Sequence, residues 1–372
     1  MRRGSALSLG ISLFFLYLFA FNPAPAAWLA GQAAWREAFF TSRVDWPEVW
    51  RLLIDLRGLP FAGAAGCLLL SLVVRAWRWR VIAGPLDRVP LTRMFHLTNL
   101  GYLANNLLPM RLGEVLRAGA LAGRSAIPLP GAMATVVLER LLDVIGALAA
   151  LLAMLLLQGS LVAAAEASAN GEALDVLARF RALAPLLGLA AGAGLALLLS
   201  LVIWRKGFLD MGERVLDRLL PAPAAARLHR LAVSFAAGLE ILRSPWEALL
   251  LLGQTAFMLA CYLGSLACMI HAYGMADDLV LLQQAPMASL LLLLVFVSLG
   301  YMIPAAPGAF GTVQYFTALA MSLIGAGTEE AMSYALGNHL ITWLLLTLMG
   351  LVALPLLGLR FGDVMKWKED RA

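Results

Sequence analysis

LVLLQQAPMASLLLLLVFVSLGYMIPAAPGAFGTVQYFTALAMSLIGAGT, residues 279–328, holds no Lys, Arg, Asp or Glu. A soluble domain carries roughly 25% charged residues, and no water-facing surface can be built from so long a neutral stretch. The remainder of the chain agrees. Of 372 residues, 62% are apolar and 14% charged, and the apolar ones come in runs of about 20, the length that crosses a ~30 Å hydrocarbon core. Inside lipid the backbone must satisfy its own polar groups, and the ~10-residue alternating segments of a barrel are missing. The expected fold is therefore an all-α polytopic membrane protein, one membrane domain over 1–372, with six to eight transmembrane helices.

Working outward, the stretch is flanked by a span at about 246–270 and a last span at about 332–358. Upstream, Arg2 and Arg3 precede the apolar run Leu7 to Phe21, read as a retained first helix rather than a signal peptide. Residues 36–58 mix both charges with Trp46 and Trp50, which suits a short amphipathic helix on the membrane surface. A second span runs from about Pro60 to Val74 and ends in Arg75-Ala-Trp77-Arg78-Trp79-Arg80, read as a basic and aromatic interface anchor. Spans are also expected at about 130–158 and 182–204; the latter contains Gly188-x-x-x-Gly192, a weak packing signal. Residues 205–245 are basic and suit amphipathic helices at the headgroups.

Basic segments at the N-terminus, 75–93, 205–245 and the tail place both termini in the cytoplasm. Asp277, Asp278, Glu329 and Glu330 then mark the outer side. The formal charge of +5 reads as orientation of helices, not nucleic-acid binding. Cys67, Cys261 and Cys268 lie in apolar runs without Cys-x-x-Cys spacing and read as packing residues, so no metal and no cofactor is expected.

Two interrupted segments carry the functional signal. Residues 94–109 are apolar but too short to cross, contain Asn99, Asn105 and Asn106, and stop at Pro109, with Gly113 four residues on. Residues 300–311 repeat the theme as Gly300-Tyr301-Met-Ile-Pro304-Ala-Ala-Pro307-Gly308-x-x-Gly311, with Gly308 four residues after Pro304. Pro breaks a helix and Gly permits reversal. Freed backbone groups at membrane depth require protein or water beside them. The first interruption opens to the cytoplasm and the second to the outside, and each is flanked by a span before and a span after, of opposite sense in the two halves 60–158 and 246–358, the pattern of an inverted repeat with a midplane site. The neutral stretch either crosses twice or dips in and returns, so the count is six spans with two hairpins or eight with one.

Charges at depth add to this. Arg111, Glu114 and Arg117 follow three apart, and Glu139, Arg140 and Asp143 lie inside an apolar run. Each costs about 2.5–3.5 kcal/mol at a helix centre. Arg111 and Arg117 suit a lipid phosphate, with Glu114, Glu139 and Asp143 balancing them or meeting a cationic headgroup; a structural ion-pair network fits the same residues. Gln314 is a weaker cavity candidate beside Gln283 and Gln284, and His339, next to Asn338, reads as a hydrogen-bonded packing group.

The run Asn105-Asn-Leu-Leu-Pro109-Met-Arg111-Leu-Gly113-Glu114-Val-Leu-Arg117, with Arg75 to Arg80 before it, Glu139-Arg140-Leu-Leu-Asp143 after it and Pro304-x-x-Pro307-Gly308-x-x-Gly311, resembles the lysylphosphatidylglycerol synthase transmembrane-region family of flippase-like proteins. The resemblance implies a bacterial or archaeal inner-membrane protein that moves a lipid between leaflets. The partner would be an anionic or aminoacylated phospholipid or a polyprenyl-phosphate-type lipid, and a homodimer is compatible with it. It also implies that Asn105, Pro109, Arg111, Gly113, Glu114, Arg117, Glu139, Arg140, Asp143, Pro304, Pro307, Gly308 and Gly311 shape the site. The chain stops at Ala372 without room for a synthase domain, so synthesis of the lysyl-lipid is not expected. Two alternatives stand beside transport: a membrane-embedded lipid-phosphate transferase or hydrolase, and a non-catalytic partner of a lipid-modifying enzyme docked through 205–245. No catalytic signature and no nucleotide-binding loop is found, so the chain is not expected to be an enzyme.

Overall fold

The computed structural model describes residues 2–32, 34–108, 111–167, 245–303 and 305–362, with scattered positions between 182 and 196. Pro109, Pro304, the basic segment 205–245 short of its last residue, most of the span expected at 182–204, and the tail beyond 362 lie outside the described residues. Every regular element among the described residues is helical.

Helix α1 (Arg2–Ala20) is followed by the short α2 (Pro25–Leu29), α3 (Trp35–Phe40) and α4 (Trp46–Ile54), then α5 (Gly58–Ala83), α6 (Leu91–Leu107), α7 (Gly113–Ala122) and α8 (Leu129–Ala167). The second part comprises α9 (Pro245–Ala272), α10 (Val280–Gln284), α11 (Pro286–Met302), α12 (Thr312–Leu323) and α13 (Thr328–Leu356). Among the described residues four helices, α5, α8, α9 and α13, are long and apolar enough to cross a membrane. The molecule is an integral membrane protein. By contrast α6 and α11 have 17 residues each, about 26 Å at 1.5 Å per residue, and both stop at a break.

Two sequence expectations are corrected here. The anchor at Arg75–Arg80 is not the end of a span: α5 continues to Ala83, and Arg75 and Arg78 are buried on its inner face, at 6% and 0% exposure. The outer face keeps Trp77 and Arg80 exposed. The mixed-charge stretch 36–58 also forms two short helices rather than one; in α4 Val49 is the buried residue, packed with Met332 and Ala335 of α13.

Packing follows small residues, as expected where lipid supplies no hydrophobic drive between helices. Helix α5 lies along α9 on a reciprocal seam: a Cβ on Gly63 would stand 3.2 Å from Cys268 Sγ, and one on Gly264 3.3 Å from Cys67 Sγ. Helix α6 packs on α7 and α13, and α11 on α12 and α8. Where α6 meets α13, a Cβ on Gly350 would come within 2.8 Å of Asn99 O, so glycine sets that approach. The main core surrounds α11, with Leu291 to Phe296 meeting Leu266, Met269, Ile270, Met321 and Tyr334. Helix α1 packs along α12.

Candidate functional site

Arg75 and Arg78 of α5, three residues apart, share a face, and so do Glu139 and Asp143 of α8, four apart. The two faces meet. Arg75 Nη1 donates to Glu139 Oε1 at 2.9 Å and to Asp143 Oδ2 at 2.8 Å, while its Nη2 reaches the Tyr262 hydroxyl of α9 at 3.1 Å. Arg78 pairs with Asp143 and donates to Thr255 Oγ1 at 3.0 Å. From α7, Arg117 Nη1 lies 2.8 Å from Glu139 Oε2, with its guanidinium 4.6 Å from the Trp79 ring centroid. Trp79 is held in turn by a 2.9 Å hydrogen bond from its Nε1 to Thr135. Arg140, at the lip, reaches Asp143 at 3.1 Å, Glu139 at 3.3 Å and Glu114 at 3.5 Å.

Four guanidiniums thus face three carboxylates, and the cluster carries one excess positive charge. Arg78 and Glu139 are wholly buried, and Arg75 and Arg117 nearly so, whereas Glu114, Asp143 and Arg140 are partly open. Burying ions this way is costly unless every donor finds an acceptor. Several do not: Arg117 Nη2 and the Nε atoms of Arg75, Arg78 and Arg140 are buried without a hydrogen-bond partner. A group with several acceptor oxygens and negative charge would answer both deficits. Arg75 and Arg78, absent from the residues proposed on sequence, are half of its cationic side.

The two breaks lie beside the middle of α13. His339 and Trp343, twelfth and sixteenth of its 29 residues, meet the second break: His339 Nε2 contacts Gly308 O at 2.9 Å, and Phe310 packs on both rings. Asn106, at the end of α6, donates to Thr347 Oγ1 at 3.0 Å and to Trp343 O at 3.3 Å. Asn105 Oδ1 accepts the Gly113 N–H at 2.9 Å, and Gln314 Oε1 accepts the Gly311 N–H at 2.7 Å. Ser12 of α1 accepts the Ala306 N–H at 2.7 Å. Asn105, Asn106, Gln314 and His339 therefore serve groups released at the breaks or on α13, while the charged residues other than Arg111 form the cluster.

Glycine acts differently at the two breaks. Gly308 and Gly311 adopt φ of 73° and 93°, the left-handed region glycine favours. Gly113 instead begins α7, and its missing side chain lets Gly101 O and Asn105 approach. Among the described residues, the non-glycine residue at positive φ in the first break is Arg111, at 54°, as Ala309 is in the second at 57°. Each costs roughly 1–2 kcal/mol for a residue with a Cβ. Because Arg111 precedes α7, it does not continue the face of Glu114 and Arg117; its exposed guanidinium crosses to the Tyr301 carbonyl at the end of α11. Pro307, described, opens the 3-10 turn Pro307–Ala309.

A family model described as the lysylphosphatidylglycerol synthase TM region matches residues 5–350. No curated protein and no solved structure matches the chain.

Proposed function

The chain belongs to the lysylphosphatidylglycerol synthase transmembrane-region family, whose name ties it to membrane lipids, and on that premise we propose that it moves a phosphate-bearing lipid between the two leaflets. The observation that carries this reading is the buried cluster with its excess cation and unpaired guanidinium N–H groups. A phosphate has the charge and the acceptors the cluster lacks, and the partly open Arg140, Glu114 and Asp143 form its approach. The lipid tails stay in hydrocarbon while the headgroup is sheltered by protein. Transport rather than catalysis is favoured because each carboxylate is matched to an arginine, which leaves none poised as a free acid or base.

The path we propose is formed by two re-entrant hairpins in an inverted repeat, α5 to α8 against α9 to α13. Mirrored packing supports it: α5 lies on α9, α6 on α13 as α11 on α8, and α7 on α8 as α12 on α13. The seam is reciprocal in Gly63, Cys67, Gly264 and Cys268. The breaks correspond as well. Tyr102 follows Gly101 as Tyr301 follows Gly300, and left-handed Arg111 and Ala309 each stand two residues before Gly113 and Gly311. That correspondence pairs Pro109 and Gly113 with Pro307 and Gly311, three residues beyond the Pro304–Gly308 pairing suggested by sequence. Arginine-rich loops on one side support a placement in the inner membrane with both termini cytoplasmic.

The test is reconstitution of the full chain in liposomes holding a fluorescent phospholipid in both leaflets. Transport exposes inner-leaflet label to an external reductant with the lipid mass unchanged, and Arg117→Ala abolishes the exposure. A changed lipid mass would point to an enzyme, and no exposure with the wild-type chain contradicts the proposal.

A further inference from the structure

We propose that Arg111 is a latch between the two breaks, and that a phosphate opens it by drawing the guanidinium off the Tyr301 carbonyl; this deepens the transport reading and rests on it. The side chain leaves the first break and donates to a backbone carbonyl at the mouth of the second. Among the described residues, helix α6 packs against the turn Pro307–Ala309, while the other hydrogen bonds to the second break from elsewhere come from Ser12, His339 and Gln314. Arg111 therefore ties the movement of one hairpin to that of the other.

Three features make this tie releasable. The Arg111 side chain is exposed, unlike those of Arg75, Arg78 and Arg117, so an arriving headgroup can meet it first. Its present acceptor is a neutral carbonyl, whereas a phosphate offers charge and a second oxygen for bidentate pairing. Its backbone sits at φ 54°, a conformation that persists only while surrounding contacts enforce it. Release of the side chain removes one such contact and lets the backbone relax. The latch is also one-sided. Ala309, which corresponds to Arg111 in the second break, has no donor with which to reach back to Tyr102. When the two halves exchange roles, Ala309 cannot close the opposite mouth as Arg111 closes this one, so the latched arrangement is the resting one.

Amide hydrogen exchange on the full chain in nanodiscs tests this. The probes are phosphatidic acid in the bilayer and, separately, inorganic phosphate in the buffer. Arg111→Gln is expected to speed exchange of the 303–311 amides about ten-fold, the factor that corresponds to about 1.4 kcal/mol, with α13 unchanged. Phosphatidic acid is expected to produce the same acceleration in the wild type and none beyond it in the variant. Arg111→Lys, which keeps the charge, stays closer to wild type. An effect of inorganic phosphate as well assigns the response to phosphate itself, and an effect of the lipid alone assigns it to a headgroup; both support the latch. Unchanged exchange at 303–311 in Arg111→Gln overturns it, as does an equal response of variant and wild type to phosphatidic acid. If α13 also exchanges faster in the variant, the wild type with and without phosphatidic acid decides, and no acceleration there overturns the latch. Liposomes run in parallel keep the two ideas apart: a normal exchange response without lipid redistribution refutes transport and leaves the latch standing.

Discussion

Replacing Glu139 by Gln removes the carboxylate at the centre of the cluster without changing its shape. Glu139 is wholly buried and lies 2.9 Å from Arg75, 2.8 Å from Arg117, 3.3 Å from Arg140 and 3.8 Å from Arg78. With it, four cations face three anions; without it, four face two. Removing one partner of a buried pair costs about 3–5 kcal/mol, because the remaining charge stays buried and unpaired. Glu114 supplies the internal comparison. It is 21% exposed and has one ion contact at 3.5 Å, a geometry worth under about 1 kcal/mol. At roughly 2–3 °C per kcal/mol for a large domain, thermal unfolding of the purified chain in detergent should fall by on the order of 10 °C for Glu139→Gln and by about 2 °C for Glu114→Gln. Phosphatidic acid should recover part of the first loss by returning negative charge to the cluster. Equal melting shifts for the two variants would refute the reasoning that Glu139 carries the charge balance.

Other variants probe the remaining parts. Arg75→Lys keeps the charge but loses the fork that spans Glu139, Asp143 and Tyr262; lipid redistribution is expected to fall at least ten-fold while gel-filtration behaviour is preserved. Gly113→Ala places a Cβ against Gly101 O and Asn105 and should cost about 1–3 kcal/mol, whereas Gly66→Ala meets open space and should leave the melting temperature within about 2 °C. Ser12→Ala leaves the Ala306 N–H without its acceptor and should destabilise by about 1–3 kcal/mol, read as earlier proteolysis of 303–311. A lipid-soluble oxidant should join Cys67 to Cys268 across the α5–α9 seam, seen as one linked peptide pair by mass spectrometry; linkage of neither to the other would contradict the reciprocal packing.

Much of this architecture is legible in the chain because the membrane is a severe solvent. Runs such as Leu291 to Val297 have one stable home, and a charge such as Glu139 inside one needs a partner, which is why Glu139, Arg140 and Asp143 stand out before any coordinates. Arg75 and Arg78 do not stand out. Arginine with tryptophan at the end of an apolar run has the composition of an interface anchor, and only the continuation of α5 to Ala83 puts them inside. A signal was present: Arg75 and Arg78 share a helical face that excludes Trp77 and Arg80, and two carboxylates of α8 required cations. The left-handed backbone at Arg111 is not legible either, since nothing in an arginine side chain favours φ 54°. The same limit applies to Asn105 and Gln314, whose amides suit a cavity and a backbone cap equally until the positions of Gly113 and Gly311 are known.

Photo-labelling with phosphatidic acid carrying a diazirine beside the phosphate locates the headgroup in the full chain in nanodiscs, and peptide mapping reads where it rests. Labelling of 113–122 and 134–146, lost in Arg117→Ala, is the result this account predicts. Labelling confined to outward residues such as Leu70, Val73 and Trp77, and unchanged in that variant, would contradict it.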